Sequence, residues 1–76
     1  MIKIRVKKTH ELYNAIIAIL ESWLNSRDIK FDCDIVKEVY YDNEEYDVVL
    51  YKIHCVDKTQ MEDIIEEFDP IVHVSW

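Results

Sequence analysis

Residues 29–55, IKFDCDIVKEVYYDNEEYDVVLYKIHC, decide how this chain folds. From Ile29 to Tyr41 the odd positions Phe31, Cys33, Ile35, Val39 and Tyr41 are apolar apart from Lys37, and the even positions are mostly charged. From Asp47 to Cys55 the odd positions Val49, Tyr51, Ile53 and Cys55 form a matching set. Alternation with period two marks strands with one buried face, so the stretch predicts a β-hairpin. A slip of one residue would set apolar side chains against Lys52 and His54, so odd positions must pair with odd. The expected register pairs Val39 with Val49, Ile35 with Ile53 and Cys33 with Cys55, leaving Asn43-Glu44-Glu45 as the loop. Such a loop needs a residue in the left-handed backbone region, and in a chain without glycine Asn43 is the best candidate.

Working outward, IKIRVK at residues 2–7 alternates Ile2, Ile4 and Val6 with Lys3, Arg5 and Lys7, which predicts another half-buried strand. Thr9 is placed to cap a helix in which Leu12, Ala15, Ile16, Ile19, Leu20, Trp23 and Leu24 recur at helical spacing, with Tyr13 and Ile17 widening the apolar face. Asn25-Ser26-Arg27-Asp28 ends that helix. Thr59-Gln60-Met61-Glu62 has the form of a capping box, and Met61, Ile64, Ile65 and Phe68 give a second amphipathic helix that Asp69-Pro70 stops. Residues 71–76 alternate again as a last strand, with Val72, Val74 and Trp76 inward. The order βαββαβ has one natural solution: an α+β, ferredoxin-like domain over residues 1–76, with an antiparallel sheet in order 4-1-3-2 and both helices on one face.

Seventy-six residues make one domain, with half of them hydrophobic and a third charged, a globular composition. The longest apolar run, Ala15 to Leu20, is too short to span a bilayer. Without a leader sequence, and with two cysteines that do not form a metal-binding pair, the chain reads as cytoplasmic with reduced thiols. Cys33 and Cys55 are expected to face each other as small buried side chains. No zinc spacing exists, His54 and Cys55 point to opposite faces, and no cofactor or metal site is expected.

Nor does a catalytic constellation stand out. A nucleophile with a positioned base and an oxyanion hole is missing, the carboxylates sit at exposed positions, and no Gly-rich phosphate loop exists, so the expectation is a noncatalytic protein. The face of the sheet away from the helices should carry Lys3, Arg5, Lys7, Lys52 and His54, answered by Asp32, Asp34 and Glu38. Val48 and Leu50 stand where RNA-binding sheets of this type place stacking rings, which argues against direct nucleic-acid binding.

What remains is acidity. The net charge is −7, and residues 28–76 hold fourteen of the sixteen acids against four of the nine bases. Tyr40, Asp42, Glu44, Glu45, Tyr46 and Asp47 cluster at the hairpin, with Tyr41 among them, and the second helix exposes Glu62, Asp63, Glu66 and Glu67, followed by Asp69. Glu62 and Asp63 suit the positive end of the helix, whereas Glu66, Glu67 and Asp69 do not. Acids interleaved with tyrosine suit a basic protein surface. The expected function is therefore a protein-binding module, in one version an inhibitor that imitates phosphate charge on a nucleic-acid-binding target, as phage anti-defence and anti-CRISPR proteins do. The predicted topology also resembles that of ACT-type regulatory domains, which would imply a homodimer contacting through the Tyr13 and Ile17 flank or the final strand. ACT-type ligand sites use a Gly-containing turn after the first strand, where this chain has Lys7-Lys8-Thr9-His10.

Overall fold

The computed structural model describes residues 1–54 and 57–75. Its elements are β1 (Ile2–Lys7), α1 (Tyr13–Ser26), β2 (Phe31–Val39), β3 (Glu45–Ile53), α2 (Lys58–Phe68) and β4 (His73–Ser75). The strands form one antiparallel sheet in order β2-β3-β1-β4. The expected order 4-1-3-2 counts the same neighbours from the β4 edge. The architecture is α+β, a four-stranded antiparallel sheet with two helices, and is consistent with a ferredoxin-like fold.

The core lies between the sheet and the helices. Ile2, Ile4 and Val6 of β1, Val49, Tyr51 and Ile53 of β3 and Val74 of β4 meet Ile16, Leu20 and Leu24 of α1 and Ile64 and Phe68 of α2. Trp23 meets Phe68 edge to face, with ring centroids 5.4 Å apart. The buried face of α1 is rotated from the one expected. Tyr13 and Ile17 pack against the core, while Leu12 (59% exposed), Ala15 and Ile19 (57% exposed) face outward. Tyr13 and Ile17, the flank expected to carry a contact between copies, are thus partly buried.

The helix ends also differ from expectation. Thr9 caps nothing: α1 starts after Leu12, whose N–H donates to His10 Nδ1 at 3.0 Å. At the other end Asp28 adopts φ 56°, Ile29 N–H donates to the Leu24 carbonyl and Asp28 N–H to the Asn25 carbonyl. This is a Schellman closure with aspartate in the place of glycine, and buried Ile29 supplies its apolar contact. α2 begins two residues before the expected capping box. Asp57 is its cap and accepts from Gln60 N–H at 2.8 Å, so Thr59 lies inside the helix and Glu62 and Asp63 lie beyond its first turn.

The hairpin keeps the expected parity but not the expected register. Ile35 pairs with Val49, Cys33 with Tyr51 and Val39 with Glu45. The loop is Tyr41-Asp42-Asn43, closed by Tyr40 N–H to the Glu44 carbonyl at 3.1 Å and Asn43 N–H to the Tyr40 carbonyl at 2.9 Å. Asn43 sits at φ 62°, the left-handed position anticipated for it, but it is the last residue of the loop and not the first. That placement is the rule for three-residue hairpin loops, which follow a type I turn with one αL residue. The observed register also sets Lys37, the only base at an odd position of β2, directly opposite Asp47. Cys33 is exposed, not buried; Cys55, its expected partner, and Trp76, expected to face inward, lie outside the described residues.

Candidate protein-binding surfaces

β1 pairs with β3 only from Val48 to Ile53, so β2 and β3 continue past the end of β1 as a two-stranded arm. Its base is fixed by Lys8 N–H donating to the Asp47 carbonyl at 2.9 Å and by Lys7, whose ammonium lies 4.0 Å from the Tyr40 ring centre and 4.2 Å from that of Tyr46. The two rings meet edge to face at 5.3 Å. Since Lys7 belongs to the face away from the helices, so do both tyrosines. That face therefore carries two aromatic rings at its arm end, beyond Val48 and Leu50, but a lysine already covers them.

The expected hairpin site divides into parts. Asp42 Oδ1 accepts from Glu44 N–H at 2.9 Å and its Oδ2 accepts from the Tyr46 hydroxyl at 2.7 Å. These two bonds, the hydroxyl first, hold the Asp42 carboxyl below the usual aspartate range, and the same contact pushes Tyr46 up. Burial, then Glu38, pushes Tyr40 up. Lys37 Nζ stands 3.6 Å from both Glu45 and Asp47. Tyr40, Asp42, Tyr46, Glu45 and Asp47 are thus satisfied within the arm. Glu44, which makes no ion pair among the described residues, and Tyr41, 98% exposed, face solvent.

On α2, Lys58 lies 3.8 Å from Glu62. Asp63, Glu66, Glu67 and Asp69 are exposed and make no ion pair among the described residues; Glu66, Glu67 and Asp69 stand at the last turn of the helix, which has no base, and Asp63 lies one turn before. Arg27 borders them but stacks on Trp23 at 3.8 Å, and with Asp63, Glu66 and Glu67 the two line a shallow groove of about 280 Å³. The topology brings the C-terminal end of α2 and the arm to the same end of the sheet, where Tyr40 and Asp69 line one open depression of about 410 Å³.

The sheet face away from the helices is partly neutralised from within, as its charge pattern implied. Arg5 reaches across β3 to Glu38 at 3.1 Å and back to Ser75 of β4 at 3.0 Å. Lys52 lies 4.0 Å from Asp34, and His54 Nε2 lies 2.9 Å from Asp32. Arg5 and Lys7 sit opposite Leu50 and Val48, and their stems cross β3 to reach Glu38 and the tyrosines, so both apolar side chains are buried on an open face.

A different surface was missed. α1 packs chiefly on β1 and α2 on β4, so the helix side of β2 has little cover: Cys33 is exposed, Ile35 is 62% exposed and Val39 67%. The cue is in the sequence, since two helices packed over β1 and β4 leave the last strand of the row bare. The Cys33 thiol is pushed up by partial burial, opposed by the Tyr51 hydroxyl and reinforced by Glu21 and Asp34. Tyr51 is itself pushed far up by burial, and its hydroxyl donates to Glu21 at 3.1 Å. Among the described residues no group of His, Cys, Asp or Glu side chains is arranged to hold a metal ion, and no helix is long and apolar enough to cross a membrane. No protein-family model, curated protein or solved structure matches the chain.

Proposed function

We propose that this protein is a noncatalytic binding module, built on a ferredoxin-like βαββαβ scaffold, that presents an acidic surface to a basic protein partner. The observation that carries the reading is the set Glu66, Glu67 and Asp69 at the negative end of α2, with Asp63 one turn before them, none of which makes an ion pair among the described residues. Carboxylates there oppose the helix dipole and one another, a cost of a few tenths of a kcal/mol each, so they do not serve the fold. Glu44 and Tyr41 at the tip of the arm extend this surface. In its most specific form the module inhibits a nucleic-acid-binding protein by occupying its phosphate-binding surface, in the manner of phage anti-defence inhibitors.

Affinity capture from a bacterial lysate tests it. The triple change Asp63→Lys, Glu66→Lys, Glu67→Lys abolishes capture of the partner, and short duplex DNA or RNA competes for the same partner. Capture that survives the triple change overturns the reading. The ACT-like homodimer is the second reading, favoured by the outward Leu12 and Ile19 of α1. Light scattering separates the two, since a stable dimer supports the second and a monomer the first.

A further inference from the structure

The ladder between β2 and β3 fixes which backbone groups of β2 are spare. His54 N–H donates to the Lys30 carbonyl and Tyr40 N–H to the Glu44 carbonyl, so even-numbered residues on this side bond to β3. In an antiparallel pair the bonding alternates, and the odd residues Phe31, Cys33, Ile35, Lys37 and Val39 turn their N–H and C=O groups away from the sheet. β2 pairs with β3 alone, and none of these groups has a partner among the described residues. A nine-residue edge without proline is an open template for another strand. Its two faces differ: Cys33, Ile35 and Val39 are apolar and exposed on the helix side, and Asp32, Asp34 and Glu38 line the other.

We propose that the free edge of β2 accepts an extended segment of a basic protein partner as a fifth strand, apolar side chains on the helix side and Lys or Arg beside Asp32 and Asp34, whose side chains stay 70% and 60% exposed next to His54 and Lys52, while Glu38 is held by Arg5. Charge selects this occupant over a second copy of the chain. Symmetric antiparallel pairing of two β2 strands centred anywhere from Cys33 to Val36 sets acid against acid: Asp32 against Asp34, Asp34 against itself, Asp32 against Glu38, or Asp34 against Glu38. Centring on Lys37 sets that lysine against itself. Like charges directly opposed destabilise a sheet, whereas a basic strand meets the acids with the opposite sign. Strand addition supplies affinity through the main chain and selectivity through alternate side chains. The inference rests on the basic-partner reading above and names where the partner's chain would seat.

The test uses the full chain and a nine-residue peptide alternating valine with lysine, followed by amide hydrogen exchange. The expected result is new protection at the amides of Cys33, Ile35, Lys37 and Val39, with those of Asp34 and Val36 unchanged because β3 already holds them. A block-scrambled peptide of the same composition and a peptide alternating valine with glutamate give no protection. Asp34→Lys weakens the peptide by about fivefold without changing the fold. Equal binding of the scrambled peptide, protection only along α2, or the same protection appearing with rising protein concentration and no peptide would overturn the proposal. If the edge stays unprotected while charge reversal on α2 still abolishes capture, strand addition is wrong and the basic-partner reading stands.

Discussion

Asp28 and Asn43 hold φ angles of 56° and 62°, a region where a Cβ crowds the following carbonyl at a cost of about 1 kcal/mol. Aspartate and asparagine bear it best among residues with side chains. Asp28→Ala and Asn43→Ala should each lower stability by about 1 kcal/mol, and Asp28→Gly should raise it by about 0.5 kcal/mol, as read from urea midpoints at constant m. Asp42 makes a separate prediction. Its carboxyl is held below the ordinary aspartate value by the Tyr46 hydroxyl and the Glu44 N–H. A depressed value in the folded state means that the contribution is present above the unfolded value, about pH 4, and is lost as the pH falls through Asp42's own lower value. Tyr46→Phe should move the Asp42 titration upward in an NMR carboxyl titration. An unchanged curve would show that the hydroxyl contact is not formed in solution.

At the scale of elements, α1 offers a sharp comparison. Leu20 is fully buried and Ile19 is mostly exposed, although both belong to the apolar run from Ala15. Leu20→Ala should cost about 3 kcal/mol, a large share of the margin of a domain this small, whereas Ile19→Ala should stay within about 0.5 kcal/mol. On α2, Glu66→Lys and Glu67→Lys should each raise the melting temperature, because they place cations at the negative end of the helix. The element types and the hairpin parity were legible because each rests on a local period. Register was harder, since a period of two is satisfied by every second alignment. Asn43 carried the missing information: as the αL residue it had to come last in its loop, and that alone selects Ile35 opposite Val49. The rotated face of α1 was not legible, because Leu12, Ala15 and Ile19 continue the apolar stripe and only the position of α2 decides which edge of it is covered. Of the candidate site, the acids of α2 could be read directly. The tyrosines of the arm could not, because the reach of Lys7 across β3 is a tertiary fact.

For the molecule as a whole, charge is sorted by surface. On one face of the sheet Arg5, Lys52 and His54 answer Glu38, Asp34 and Asp32 and Lys3 and Lys7 add positive charge, while the helix side and the arm end carry the acidic excess that makes the net charge −7. Exposed pairs are weak, so screening the excess should outweigh screening the pairs. The melting temperature should therefore rise by a few degrees between low salt and about 0.5 M NaCl, and a fall would mean that the cross-sheet pairs dominate. The two left-handed positions filled without glycine have a further consequence, in the unfolded ensemble. A glycine-free chain of 76 residues samples fewer backbone states when denatured, and each glycine avoided spares about 0.5 to 1 kcal/mol of ordering entropy relative to alanine. A domain too small to bury much surface is thus held folded partly by how little freedom it recovers on opening.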